Sequence, residues 1–149
     1  MEALHEAQQV LDTMLGHLGF AATVEEQDSE EGPALQITTA ESKFLIGRNG
    51  ERLDDLQFLV NKIVQKQHPD APRIRVDCES FRVRQEEKLC EEARELAARA
   101  KDSGKPMRMK PLNAYHRRIV HNALVDDPDI ETFSPRSDDR MKRIEIRPK

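Results

Sequence analysis

Two short constellations carry the chemistry that this sequence offers. The first is Gly47-Arg48-Asn49-Gly50, set between two helical segments. Two glycines leave a turn without the side chains that would hold an anion off, and the helix that follows begins with free N–H donors and the positive end of its dipole. Arg48 adds a charge-assisted donor and Asn49 a neutral one, a combination suited to a backbone phosphate whatever the base. The flanking Leu45-Ile46 and Leu53 to Leu56 predict an apolar floor on which unstacked bases lie. The second constellation is Asn113, Arg117 and His121, which recur every fourth residue and so share one side of a helix. Leu112, Tyr115, Ile119 and Ala123 occupy another side, which predicts that the polar set stays out of the core. In that position the set is either a solvated stripe or a binding face on which Arg117 grips phosphate, His121 adds a hydrogen bond or partial charge, and Lys105, Arg108, Lys110 and Arg118 supply the surrounding field.

These residues need elements to hold them. Leu4, Ala7, Leu11, Met14, Leu15 and Leu18 mark an amphipathic helix over residues 2 to 18, stopped by Gly19. Strands are expected over 20 to 27 and 34 to 40, joined through the turn 28 to 33. Lys43 to Ile46 form a short apolar turn before the glycines, and a helix from Leu53 runs to His68-Pro69. Arg73 to Glu79 alternates, so Ile74, Val76 and Cys78 should face a core and the charged residues water. A long helix from Phe81 to Ser103 carries Val83, Cys90, Ala93, Leu96, Ala97 and Ala100 on one side and stops at Gly104-Lys105-Pro106. Beyond it come a short strand at Met107 to Met109, a helix over 114 to 124 capped by Asn113, and two strands near 130 to 133 and 141 to 147.

Composition narrows the function classes. At 149 residues the chain makes one ordinary domain or two very small ones. With 24 Lys and Arg against 28 Asp and Glu, the net charge of −4 excludes a uniformly basic nucleic-acid coat, so any anion site is local. Residues 1 to 40 hold eight carboxylates and no Lys or Arg, whereas residues 105 to 125 hold five basic side chains and no acidic one. Nucleic acid therefore belongs away from the first quarter. The start lacks a secretory pattern and no apolar run approaches a membrane span, which predicts a soluble, cytoplasmic protein without membrane insertion. Two cysteines, Cys78 and Cys90, are too few for a disulfide framework and read as small core residues. His116 and His121 are five apart and face different ways, so no metal site and no cofactor is expected. No phosphate-loop, dinucleotide, zinc-hydrolase or serine-hydrolase motif occurs, which predicts a protein that is not an enzyme.

The stretch Phe44-Leu45-Ile46-Gly47-Arg48-Asn49-Gly50-Glu51-Arg52-Leu53-Asp54-Asp55-Leu56 resembles the GxxG segment of a bacterial K-homology (KH) domain. Met109 to His121 resembles an R-3-H domain, with Arg117 and His121 as its signature pair; Ala114 and His116 stand where that pattern has Pro and Glu. In tandem the two resemble the Jag (KhpB) family of bacterial RNA-binding proteins. That resemblance implies an α+β architecture: a type II KH domain of order αββααβ over residues 1–80, a linking helix over 81–104 and a small α+β R-3-H domain over 105–149. A counterpart of the separate N-terminal domain of many Jag proteins is not expected in this chain. The function implied is binding of single-stranded RNA, or single-stranded DNA, by a post-transcriptional regulator. A small KH protein is the implied protein partner. The site residues would be Gly47, Arg48, Asn49 and Gly50 in the first module and Lys110, Asn113, Arg117, Arg118 and His121 in the second. The rival reading is a protein-interaction adaptor that docks partners on the acidic first helix and the linking helix.

Overall fold

Ala3, Leu4, Ala7, Leu11 and Leu15 recur at helical spacing, and helix α1 (Glu2–His17) buries all five. Leu18 does not join them: it lies beyond the last helical turn and is exposed. The computed structural model describes residues 2–149, which form two compact units, one up to Arg82 and one from Val83 to Lys149. In the first, β1 (Ala22–Ser29) and β2 (Gly32–Thr39) form an antiparallel hairpin whose last pair is Ser29 with Gly32. The connection is therefore the pair Glu30-Glu31, tighter than the six-residue turn expected, with Gly32 supplying a φ of 105°. Helix α2 (Ser42–Ile46), a 3-10 turn over Arg48–Gly50 and helix α3 (Glu51–Gln67) follow, and β3 (Arg75–Cys78) pairs parallel to β2. The order is αββααβ, with sheet order β1-β2-β3. Leu35 and Ile37 of β2, Val76 and Cys78 of β3, neighbouring Ile74, and Leu53, Val60 and Val64 of α3 close one aliphatic core with α1.

The outer edge of β3 is sealed by side chains. Asn61 on α3 donates through Nδ2 to the carbonyls of Ile74 (2.7 Å) and Gln57 (2.8 Å), while its Oδ1 accepts from the Ile74 N–H (2.8 Å). Gln57 Oε1 accepts from the Val76 N–H (3.0 Å) and Arg82 Nε donates to the Val76 carbonyl (2.9 Å). An edge strand thus has its polar groups met without another strand. One expectation fails here. Asp77, assigned to water by alternation, is fully buried, because the chain reverses through Glu79 and Ser80 (φ 51° and 58°) and sets a helix start over it. Its Oδ1 accepts from the N–H groups of Cys78 (2.8 Å) and Arg82 (3.2 Å).

That helix is α4 (Phe81–Ser103), which from Val83 onward belongs to the second unit. Its buried stripe is Leu89, Ala93, Ala97 and Ala100, with Leu96 partly buried; Val83 is exposed and Cys90 only half-buried. Ala93, Ala97, Ala100 and Leu96 lie on the face expected, and Leu89 takes the place there that Cys90 was expected to fill, since Leu89 outweighs Cys90 in apolar area. Strands β4 (Met107–Arg108), β5 (Ile130–Phe133) and β6 (Glu145–Pro148) form an antiparallel sheet of order β4-β6-β5. Helix α5 (Ala114–Leu124) packs Val120 and Leu124 with Met109, Leu112, Ile130, Ile144 and Ile146 and with the α4 stripe. The last strand begins at Glu145, later than expected, and an isolated antiparallel bridge joins Leu112 to Lys142 ahead of it. No helix among the described residues is long and apolar enough to cross a membrane.

Candidate nucleic-acid interface

The glycine turn is conformationally unusual at three of its four residues. Gly47 has φ 74° and ψ −173°, a combination confined to glycine; Asn49 has φ 56° and ψ 22°, and Gly50 φ 82° and ψ 13°. Asparagine is one of the few side chains that tolerates the left-handed region, so Asn49 fits its place. Each glycine is also needed for close packing. A Cβ on Gly47 would meet Arg52 Cγ at 2.8 Å, and one on Gly50 would meet Phe81 Cε1 at 2.9 Å. The missing side chains therefore make room for the Arg52 stem, whose Nη1 donates to the Phe44 carbonyl (2.6 Å), and for the Phe81 ring. Arg48 and Asn49 are exposed at the tip. The first turn of α3 has no capping side chain, and the Glu51 N–H donates to the Arg48 carbonyl. Glu51 and Asp54 share that turn, and Asp54 is held by Arg82 Nη1 at 2.7 Å.

The apolar floor expected beside this turn is not open to bases. Leu45, Ile46, Leu53 and Leu56 are all buried in the first core, because the same helical period that spaced them turns them inward against α1 and the sheet. Phe44 on α2 and Phe58 on α3 are exposed aromatics.

In the second unit Asn113 caps α5, its Oδ1 accepting from the His116 N–H (2.8 Å). The expected apolar arc is displaced: Tyr115 is exposed and the buried residues of α5 are Val120 and Leu124. Arg117 and His121 flank that buried pair and are consequently half-buried. Arg117 Nη1 donates to the carbonyls of Leu112 (2.8 Å) and Arg140 (3.3 Å), which ties the helix to the loop before β6. His121 Nδ1 pairs with Thr132 Oγ1 on β5. Lys110 lies 3.5 Å from Glu92, and Arg118 is exposed. His116 is half-buried. Sequence reasoning missed the loop around Arg140 and the Thr132 contact, which only the pairing of β5 with β6 brings to α5. The glycine turn and the Arg117–His121 pair belong to different compact units. Among the described residues no three His, Cys, Asp or Glu side chains are grouped to hold a metal ion.

Burial, and then the neighbouring Arg117 charge, hold His121 below its ordinary value of 6.5. The folded chain therefore takes up this proton less readily than the unfolded chain. Stability carried by the neutral ring is complete above about pH 6.5 and declines as pH falls. NMR titration of the His121 ring is expected to give a midpoint below that of a free imidazole. In His121→Gln the part of the acid destabilisation between pH 7.5 and 5.5 that this ring causes should disappear; an ordinary midpoint would show the ring solvated.

Comparison with known proteins gives a consistent pattern. The sequence model of the R-3-H domain matches residues 87–148, from α4 through β6. The RNA-binding protein KhpB of Clostridium symbiosum is 32% identical over 133 residues, covering 89% of this chain and 59% of that protein. KhpB of Bacillus subtilis (strain 168) is 24% identical over 136 residues, 90% of this chain and 65% of the relative. The Lactiplantibacillus plantarum protein of the same name is 26% identical over 119 residues, 78% of this chain and 36% of the relative. The chain thus spans about three fifths of the length of the first two relatives.

Proposed function

We propose that this chain, which carries an R-3-H domain and is a homologue of the KhpB (Jag family) proteins, binds single-stranded RNA with two modules and performs no chemistry. The observation that carries the reading is that the R-3-H match falls on the unit in which α5 sets Arg117 and His121 side by side, with Arg118 and Lys110 exposed around them. Arg117 would present the guanidinium nitrogens other than Nη1 to phosphate, its orientation set by the Leu112 and Arg140 carbonyls. His121 would donate from Nε2, and a phosphate beside it would favour the imidazolium that burial disfavours. Asn113, engaged in capping, would contribute through its Nδ2 alone.

Residues 1–80 would act as a type II KH domain: the αββααβ order supports this, as does a GxxG turn placed between α2 and α3. There Gly47 and Gly50 shape the turn, while Arg48, Asn49 and the uncapped N–H groups of α3 meet the backbone of about four nucleotides. Residues 105–149, with α4 packed on them, would form the R-3-H module. Single-stranded DNA is the competing ligand, a small KH protein a protein partner, and the cytoplasm the place of a post-transcriptional regulator.

The test is an electrophoretic shift series with a long single-stranded RNA and a tetranucleotide, at low and physiological salt. Affinity for the long strand is expected to fall steeply with salt despite the acidic overall charge, because counterion release follows the phosphates neutralised locally. Arg117→Ala with His121→Ala should weaken the long strand at least about tenfold and leave the tetranucleotide nearly unchanged, since linked sites gain from effective concentration. Equal losses on both lengths would contradict the division of labour. No loss on either would remove the pair from the site.

A further inference from the structure

Helices α4 and α5 border a cavity of about 380 Å³ that the RNA reading does not use. Its apolar lining is Val83, Cys90 and Ile119; its polar lining is Glu86, Glu87 and Glu91, with Arg94 as the one cation. Val83 is 46% exposed, an uncovered aliphatic side chain at the start of a long charged helix. Glu86 is positioned by the Tyr115 hydroxyl, which donates to it at 2.6 Å. Among the described residues Glu87 and Glu91 take part in no ion pair. The cavity therefore joins apolar surface to a net negative wall, and a phosphate backbone is repelled from it.

Its place on α5 also separates it from the Arg117–His121 face. Tyr115 and Ile119 are four residues apart on one side of the helix, and Arg117 is two residues, about 200° around the axis, from each. One small unit thus presents a cationic face and an acidic apolar groove in different directions.

We propose that the α4–α5 groove is a docking site for a basic peptide segment of a partner protein, one whose aliphatic side chains enter between Val83, Cys90 and Ile119 while its lysines or arginines meet Glu86, Glu87 and Glu91. Charge complementarity selects this occupant. A segment with these features recognises the groove as an amphipathic peptide recognises a hydrophobic groove with an acidic rim. The volume accommodates one or two anchoring side chains, which places the contact among weak, reversible interactions.

The experiment uses the full chain and a synthetic peptide of about a dozen residues in which leucines are set among lysines and arginines at helical spacing. Binding followed by NMR is expected to perturb Val83, Cys90 and Ile119, and to weaken about tenfold or more when the leucines become serines or when Glu87→Lys and Glu91→Lys are combined. Those two glutamates are exposed, so the variant should keep the wild-type circular dichroism and should not bind RNA more weakly. Perturbations confined to the acidic residues 1 to 40, equal binding of the serine peptide, or indifference to the charge reversal would each overturn the proposal. So would sedimentation of the wild-type chain as a dimer that the combined Glu87→Lys and Glu91→Lys change disperses.

Discussion

Replacing Arg48 and Asn49 together by aspartate is expected to abolish tetranucleotide binding, with affinity falling on the order of 100-fold while the circular dichroism spectrum and melting temperature stay unchanged. Both residues are exposed at the tip of the turn, and neither belongs to the first core. Aspartate tolerates the left-handed conformation that Asn49 adopts, so the backbone has no reason to rearrange. The change acts through charge. One cation and one neutral donor become two carboxylates, beside a helix start that already carries Glu51 and Asp54. Longer RNA should retain a residual affinity through the second module. Undiminished tetranucleotide binding in a folded double variant would remove the turn from the mechanism.

The largest effect on stability is expected at Asn61. Removing its amide in Asn61→Ala leaves the Ile74 N–H and C=O without the two bonds that close the β3 edge, at a residue that is itself fully buried. Each unsatisfied buried group costs about 1–3 kcal/mol, so a loss of about 2–4 kcal/mol is expected in urea unfolding. Asn61→Asp distinguishes the hydrogen bonds from packing. Its carboxylate can still accept from the Ile74 N–H, but its second oxygen faces the carbonyls of Ile74 and Gln57 where Nδ2 had donated. The aspartate variant should therefore be at least as unstable as the alanine one at neutral pH, and recover as acid protonates it. Wild-type stability in both would mean that water replaces the amide without cost.

Asn61 also shows why part of the first unit was hidden. Gln57 and Asn61 are polar residues four apart at the border of an apolar helical stripe, a pattern shared with ordinary solvated positions. Their role exists only because β3 passes alongside α3. Asp77 is a parallel case, since alternation assigns it to water and a reversal of the chain closes α4 over it.

Features whose physics is local were legible in the amino-acid order alone. The helices, the α+β class, the αββααβ order, the Asn113 cap and the glycine turn at residues 47 to 50 all depend on side-chain period, backbone freedom and hydrogen bonds a few residues long. Packing alone decided which way an ambiguous surface faces. Helix α5 carries apolar residues on two sides, Tyr115 and Ile119 on one and Val120 and Leu124 on the other. Burial of the second pair against β5 and β6 drew Arg117 and His121 half inside and lowered the His121 pKa. The same choice left Tyr115 outward and Ile119 half-covered beside the α4 carboxylates. The free energy of burying either side is similar for the isolated helix; it is the surface it meets that separates them.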